Sequence, residues 1–234
     1  MILLTQIRKI ALLLPLALAS HTVFSDQTTI DTIENASQQN KVMLLTDIAE
    51  IASGYDSALV NYRLAIAHNI KGQADAALTF LDNAEAILTH DELSLDNSEK
   101  YALLAQVYGY RISIKPMQGF SLGSKSSNAL STAIETNNNN PRAYLVKAIS
   151  AYNTPSLFGG SKQQALKALN KALDCYQTDN NHGYQWGLAE TYVWRGLTHL
   201  ALNDSKSAIK DWQTSLEIAP NYAWPKMLIE SNQG

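Results

Sequence analysis

The chain has 234 residues, with 18 basic and 21 acidic side chains for a formal charge of −3, and it contains one cysteine, 11 glycines and 6 prolines. A balance of that sign excludes a binder held to nucleic acid by bulk charge, and a lone Cys175 excludes an intrachain disulfide. Glycine and proline are scarce, and the alanine- and leucine-rich segments carry apolar residues three and four apart, so amphipathic helices are expected throughout.

At the start, Arg8 and Lys9 precede an apolar run from Ile10 to Ala19. The run is too short to span a bilayer and has the pattern of a secretory signal peptide. Cleavage fits after Ala19, through Ala17 and Ala19, and also after Ser25, through Val23 and Ser25, so residues 1–25 are assigned to the signal. The alternative is an uncleaved signal anchor. No cysteine adjoins either site, which excludes lipid attachment at a new N-terminal cysteine. Removing Arg8 and Lys9 leaves 16 basic against 21 acidic residues, a charge of −5. Beyond Asp26 no stretch approaches the roughly 20 apolar residues of a membrane span. A soluble periplasmic or secreted product is expected.

Residues 26–57 predict a leading helix from about Thr28 to Ser53, broken near Asn40, with Val42, Leu45, Ile48, Ala49 and Ala52 on its apolar face. From Ala58 a helix–turn–helix unit begins, with Leu64 and Ala65 at positions seven and eight, Gly72 at fifteen, Ala77 at twenty, Leu81 at twenty-four and Ala84 at twenty-seven. A second unit counts from Ser98 and puts Tyr101, Leu104, Ala105 and Tyr108 at four, seven, eight and eleven. Its second helix matches through Leu130, Ala133 and Ile134 once nine extra residues are placed in the turn. Asp96 and Glu99 flank its start as a capping box. The third unit counts from Pro141, after the run Asn137 to Asn140, and matches through Ala148, Ala165, Leu169 and Ala172 with five extra residues in the same turn. A polar linker between Asp174 and Trp186 precedes the fourth unit, which counts from Ala189 and carries Gly196, Ala208, Trp212, Ser215 and Pro220. The repeats thus occupy 58–222, and 223–234 reads as a short tail, since Trp224-Pro225 argues against much further helix before Pro225.

Four segments on one template of about 34 residues resemble the tetratricopeptide repeat. The resemblance implies an all-α, right-handed α-solenoid of about four repeats with a leading capping helix, and a non-catalytic binding role. The small residues would sit where two helices cross closely, and the large ones would fill the gap to the next repeat.

Two consecutive repeats lengthen the same turn. The first insert, Ser113 to Ser127, and the second, Thr154 to Lys162, both start near a proline, pass Phe120 or Phe158, reach Gly123 or Gly159 and Gly160, and end in Ser-Lys (Ser124-Lys125 and Ser161-Lys162). Repeats stacked in register bring both to one edge. A glycine-rich turn feeding a helix N-terminus offers backbone N–H groups to an anion, and a lysine adds charge. The competing reading is structural: Ser161 and Gln164 form a capping box, the glycines only turn the chain, and Phe158 anchors its loop to the core.

The resemblance also implies that first-helix positions two, five, nine, twelve and thirteen line the concave face. Here these include Tyr62, Ile66, Asn69, Gln106, Tyr110, Arg142, Leu145, Ile149 and Tyr152, an apolar surface with tyrosines, amides and one arginine. The lysine, asparagine and arginine pattern of chaperone-tail clamps is missing. A protein or peptide partner in the groove is therefore expected. The alternative is a small anionic or amphipathic ligand held by Tyr110, Tyr152, Arg142 and the two inserts. A third possibility is that the leading helix fills the groove, or that the tyrosines pack between helices.

No catalytic residue, metal or cofactor is expected. Histidines 21, 68, 90, 182 and 199 form no HExxH and no metal-ligand spacing, and His68 and His199 fall at position eleven, a packing position. Cys175, at position thirty of its repeat, is expected to be buried and inert, and G-x-S-x-G is absent.

Overall fold

The computed structural model describes residues 25–90 and 96–232, so the expected signal peptide lies outside the described residues apart from Ser25. Those residues form helices α1 (Gln27–Gln38), α2 (Val42–Ile51), α3 (Gly54–Ile70), α4 (Ala74–Leu88), α5 (Asn97–Ile114), α6 (Gly119–Thr136), α7 (Pro141–Asn153), α8 (Lys162–Tyr176), α9 (Leu188–Ala201), α10 (Ser205–Ile218) and α11 (Ala223–Asn232). From α3 onward each odd helix packs on the even helix that follows. The pairs stack through α4 on α5, α6 on α7 and α8 on α9, while α1 and α2 cover α3 and α11 covers α10. The result is an all-α solenoid of four helix pairs.

Local chemistry sets the helix ends. Asn140 accepts from the backbone N–H groups of Arg142 and Ala143, and Pro141 takes the first helical position, where its missing N–H costs nothing. Ser161 accepts from Gln164 N at the start of α8, and Asp204 from Ser207 N at the start of α10. Asp96 accepts from Glu99 N, but the Glu99 carboxylate does not return to close the expected box, because it is bound elsewhere. The expected break at Asn40 is a residue at φ +55° between α1 and α2. Gly72 at φ +75° and Asn203 at φ +64°, both at position fifteen, turn α3 into α4 and α9 into α10 through the same hydrogen-bond pattern. Asparagine is the side chain that tolerates this left-handed backbone best after glycine.

Packing between paired helices follows the template. A Cβ on Gly196 would stand 2.3 Å from Trp212 Nε1 and 2.9 Å from the Ala208 carbonyl, so glycine lets α9 and α10 cross closely. Trp212 is fully buried there and donates to the Val193 carbonyl. On α1, Ile30, Ile33 and Ala36 are fully buried, and each isoleucine stabilises the docking by about 1.5–3 kcal/mol.

Two expectations need correction. The residues after Pro220 continue as α11, because Pro225 falls in the first turn, where backbone N–H groups have no intrahelical partner anyway. Tyr222, Trp224, Leu228 and Ile229 pack there beside Val193, Ala208 and Trp212. The first insert is also not a loop. After one 3-10 turn at Pro116–Gln118 the chain enters α6 at Gly119, so Gly123, Ser124 and Lys125 lie inside a helix. Leu122, Ala129 and Ala133 give that helix a buried face, and Ser126 Oγ donates to the Ala105 carbonyl of α5.

Candidate functional site

The concave face divides into a filled half and an open half. Positions two and five of every first helix are buried: Leu59 and Tyr62, Glu99 and Ala102, Arg142 and Leu145, Glu190 and Val193. The 177–187 linker and α1 reach several of them: Asp179 and Asn181 bond Arg142 and Glu99, and Glu34 of α1 shares Arg63 with Glu190. Trp186 Nε1 donates to the Tyr55 hydroxyl at 2.9 Å, the Tyr176 hydroxyl donates to the Trp186 carbonyl at 2.8 Å, and the rings of Tyr55 and Tyr184 meet edge to face at 4.8 Å. Gln27 of α1 donates to the Gln185 carbonyl and accepts from Gly183 N and Gln185 N. Gly187, at φ +90°, lets the linker backbone reach Leu145 and the Tyr176 hydroxyl, where a Cβ would stand 3.1 and 2.8 Å away.

Two buried arginines fix this half. Arg63 binds Glu34 of α1 through Nε (2.7 Å) and Nη2 (2.9 Å), and also Glu190 of α9 (2.9 Å). Arg142 binds Glu99 through Nε (2.6 Å) and Nη2 (2.7 Å), and Asp179 of the linker through Nη1 (2.6 Å). Burial works against the Arg142 charge, but Glu99 and Asp179 outweigh it and hold its pKa above the ordinary value. Burial raises the Glu99 carboxyl, opposed by Arg142 and by a bond from Asn181. Arg142 is 0% exposed and all three of its guanidinium nitrogens are bonded to Glu99 or Asp179, so it is a structural residue and not the anion-binding one expected from sequence.

Positions nine, twelve and thirteen, nearer the turns, stay open. Ile66, Asn69, Tyr110, Ile149, Tyr152, Leu197 and Leu200 are half-buried, and Gln106 is the buried exception. Gln106 Nε2 donates to the Tyr62 hydroxyl at 2.7 Å, while its Oε1 has no hydrogen-bond partner among the described residues. Asn69 donates to the Tyr110 hydroxyl at 3.1 Å, and Tyr110 meets Tyr62 edge to face. Burial pushes the Tyr110 and Tyr152 hydroxyls above their ordinary range, so both are neutral donors and acceptors at neutral pH. Tyr152 begins an aromatic row that continues through Trp194 (5.5 Å) and Trp224 (5.4 Å) to Tyr222 (6.5 Å). Sequence reasoning missed Trp194, Trp224 and Tyr222. Trp194 is at position six, outside the five lining positions, and the other two fall at the end of the repeats.

The residues of the proposed small-ligand pocket do not converge. Gly123, Ser124 and Lys125 are helical, and the Lys125 ammonium lies over the Tyr108 ring at 5.7 Å. Gly159 (φ +89°) and Gly160 only turn the chain, and a Cβ on Gly160 would strike the Thr154 carbonyl. The Ser161 hydroxyl is occupied as the α8 cap. Lys162 donates to the Tyr152 carbonyl and its ammonium sits 3.2 Å from the Tyr152 ring centroid, with desolvation lowering its pKa. Phe120 and Phe158 are 84% and 71% exposed and anchor nothing. A cleft of about 460 Å³ does open, but at the filled half, between α1, the linker and the α10–α11 junction. Two of its carboxylates, Glu34 and Asp179, are already paired with arginines.

His68 bonds Gln73 and stacks near Phe80, and His199 lies between Asp204 and Asp211, as packing residues would. Cys175 is buried and desolvation raises its thiol pKa.

Comparison with protein-family profiles and with curated proteins gives no match. Among solved structures, the tetratricopeptide protein TTC0263 of Thermus thermophilus is similar at 16% identity, over 88% of this chain and 95% of that one, with a TM-score of 0.53. Looser likenesses are the HusA haemophore of Porphyromonas gingivalis (25% identity, 74% and 89% covered, TM-score 0.48) and YrrB, described as a tetratricopeptide protein with an unusual peptide-binding site (14%, 87% and 86%, 0.41). The two looser ones carry no weight for function, and the first speaks to the fold alone. By its helix pairing and by this likeness, the chain has an α-solenoid fold similar to that of tetratricopeptide proteins.

Proposed function

We propose that the chain is a non-catalytic scaffold, exported to the periplasm or secreted, that holds a partner protein or peptide along the open half of its concave face. One observation carries the reading: half-buried Tyr152, Trp194 and Trp224 form a row of ring contacts, and half-buried Ile66, Tyr110 and Ile149 occupy the other open positions of the inner face. Rigid aromatic surface with hydrogen-bonding edges is the chemistry that anchors a peptide at low entropic cost. Asn69 and Asn153 flank the strip with amides suited to a peptide backbone.

A photocrosslinking residue in place of Tyr152, in cells, tests this. An adduct with a discrete polypeptide is expected, absent when the same residue replaces exposed Gln213 of α10 and weakened by Trp194→Ala. No adduct, or an equal one at position 213, refutes the groove. Fractionation of the same cells tests export, since a cytoplasmic product is incompatible with a cleaved signal.

A further inference from the structure

The two inserts did not become a pocket, yet they changed one edge of the solenoid. Met117 and Phe120 follow α5, Leu157 and Phe158 follow α7, and all four are 71–87% exposed. Ile70, at the end of α3, is 69% exposed. The turns after α3, α5 and α7 lie on the same edge, because these helices pack side by side and run in the same sense. Five large apolar side chains therefore project from three consecutive turns.

The charge around them is one-sided. From Lys100 to Lys171 the sequence has nine basic residues and a single acidic one, Glu135, giving +8 in a chain of −3. Arg111 and Arg142 are consumed by internal pairs. Lys115 and Lys125 are exposed at the edge itself, and neither insert contains a carboxylate. Asp75 and Asp204 lie at the starts of the helices after the first and fourth turns, so the carboxylate-free part of the edge is the pair of inserts between them.

We infer that this edge docks on an anionic lipid surface, with Met117, Phe120, Leu157 and Phe158 entering the headgroup–acyl boundary and Lys115 and Lys125 meeting lipid phosphates. The shape of the patch selects this partner over an acidic protein. The side chains stand out from two short 3-10 turns and the first turn of α6, so a protein would need pockets spaced to match them, whereas an acyl phase receives them with none. Lysines flanking apolar tips, with no carboxylate among them, complement a negative surface potential. The chain would lie on the membrane: no described helix is long and apolar enough to cross one.

The test uses the whole chain carrying Leu157→Cys labelled with an environment-sensitive fluorophore, the buried Cys175 being left in place. With vesicles of mixed phosphatidylglycerol and phosphatidylcholine the label should shift to the blue, and with phosphatidylcholine alone it should not. Lys115→Gln and Lys125→Gln should each weaken binding roughly fivefold. The double change Phe120→Ser, Phe158→Ser should weaken it at least about tenfold, with an unchanged circular dichroism spectrum, since both side chains are in solvent. About 1 M salt, which shortens the screening length to roughly 3 Å, should reverse the lysine contribution. A label at Gln213→Cys should stay unshifted, which separates this edge from any attachment through the apolar run near the N-terminus. No shift at position 157, including a case where the edge binds only an acidic protein, overturns the inference. So does a shift that survives the double change.

Discussion

Replacing Arg142 with alanine would remove one guanidinium from between two carboxylates. Glu99 is fully buried with it, and the Asp179 side chain is only 7% exposed, so neither anion can regain water without opening the linker. Deleting one partner of a buried ion pair costs about 3–5 kcal/mol, since a charge is left uncompensated. The triad also joins α5, α7 and the linker, so the loss should spread to the Trp186 contacts. Urea unfolding, followed by tryptophan fluorescence, should give a destabilisation in that range. Exchanging Arg142, Glu99 and Asp179 together for apolar residues should recover most of it, because no buried charge is then left without a partner. The pH dependence has a definite sign. Burial already raises the Glu99 carboxyl above its unfolded value, and removing the arginine raises it further. Relative stability from the protonated carboxyl is present below the unfolded value, in the ordinary glutamate range near 4.3, and is lost as pH rises through the folded one. The cost of Arg142→Ala should therefore be largest at pH 7 and shrink toward pH 4. A cost under about 1 kcal/mol at pH 7, in the range of an exposed pair, would refute the buried triad and return Arg142 to the candidate ligand site.

Two further outcomes check the packing. Gly196→Ala should destabilise by about 1–3 kcal/mol, since its Cβ would meet the buried Trp212 ring at 2.3 Å and the Ala208 backbone behind it; equal stability in calorimetry would mean that α9 and α10 are not so close. Cys175 should react with a thiol reagent at pH 8 only after denaturation, because burial both covers the sulfur and raises its pKa. Rapid labelling of the native chain would place α8 differently.

Periodicity made the helix pairs legible. Each repeat is a local unit whose small and large positions recur, and those positions are where Gly196, Trp212, Ala65 and Leu81 are found packed. The inserts were legible as extra length but not as conformation. Gly123 reads as a turn when weighed alone, and it becomes helical because Leu122, Ser126, Ala129 and Ala133 continue one buried stripe against α5, worth more than the roughly 1 kcal/mol that a helical glycine costs. Arg142 was misread for a different reason. Its partners are 43 and 37 positions away, and no local pattern reports that a polar linker folds back to neutralise it.

The filled half and the open half of the concave face have a common cause. A linker longer than a repeat junction requires enters the curve of the solenoid, and α1 joins it, tied by Glu34 to Arg63 and by Gln27 to Gly183 and Gln185. Their docking consumes the charged positions of the inner face, Glu99, Arg142 and Glu190, and leaves aromatic and aliphatic ones. The open strip is consequently neutral, bounded by a structural plug on one side and by the basic, apolar turn edge on the other. A partner lying along that strip would meet Tyr152 where the aromatic row begins and where Lys162 caps the ring. Strip and edge are thus neighbours joined through one lysine–tyrosine contact, so Lys162→Ala, with Tyr152 kept, should disturb crosslinking from a photocrosslinking residue at Ile149 while leaving the Glu99–Arg142–Asp179 triad, and with it the urea midpoint, nearly unchanged.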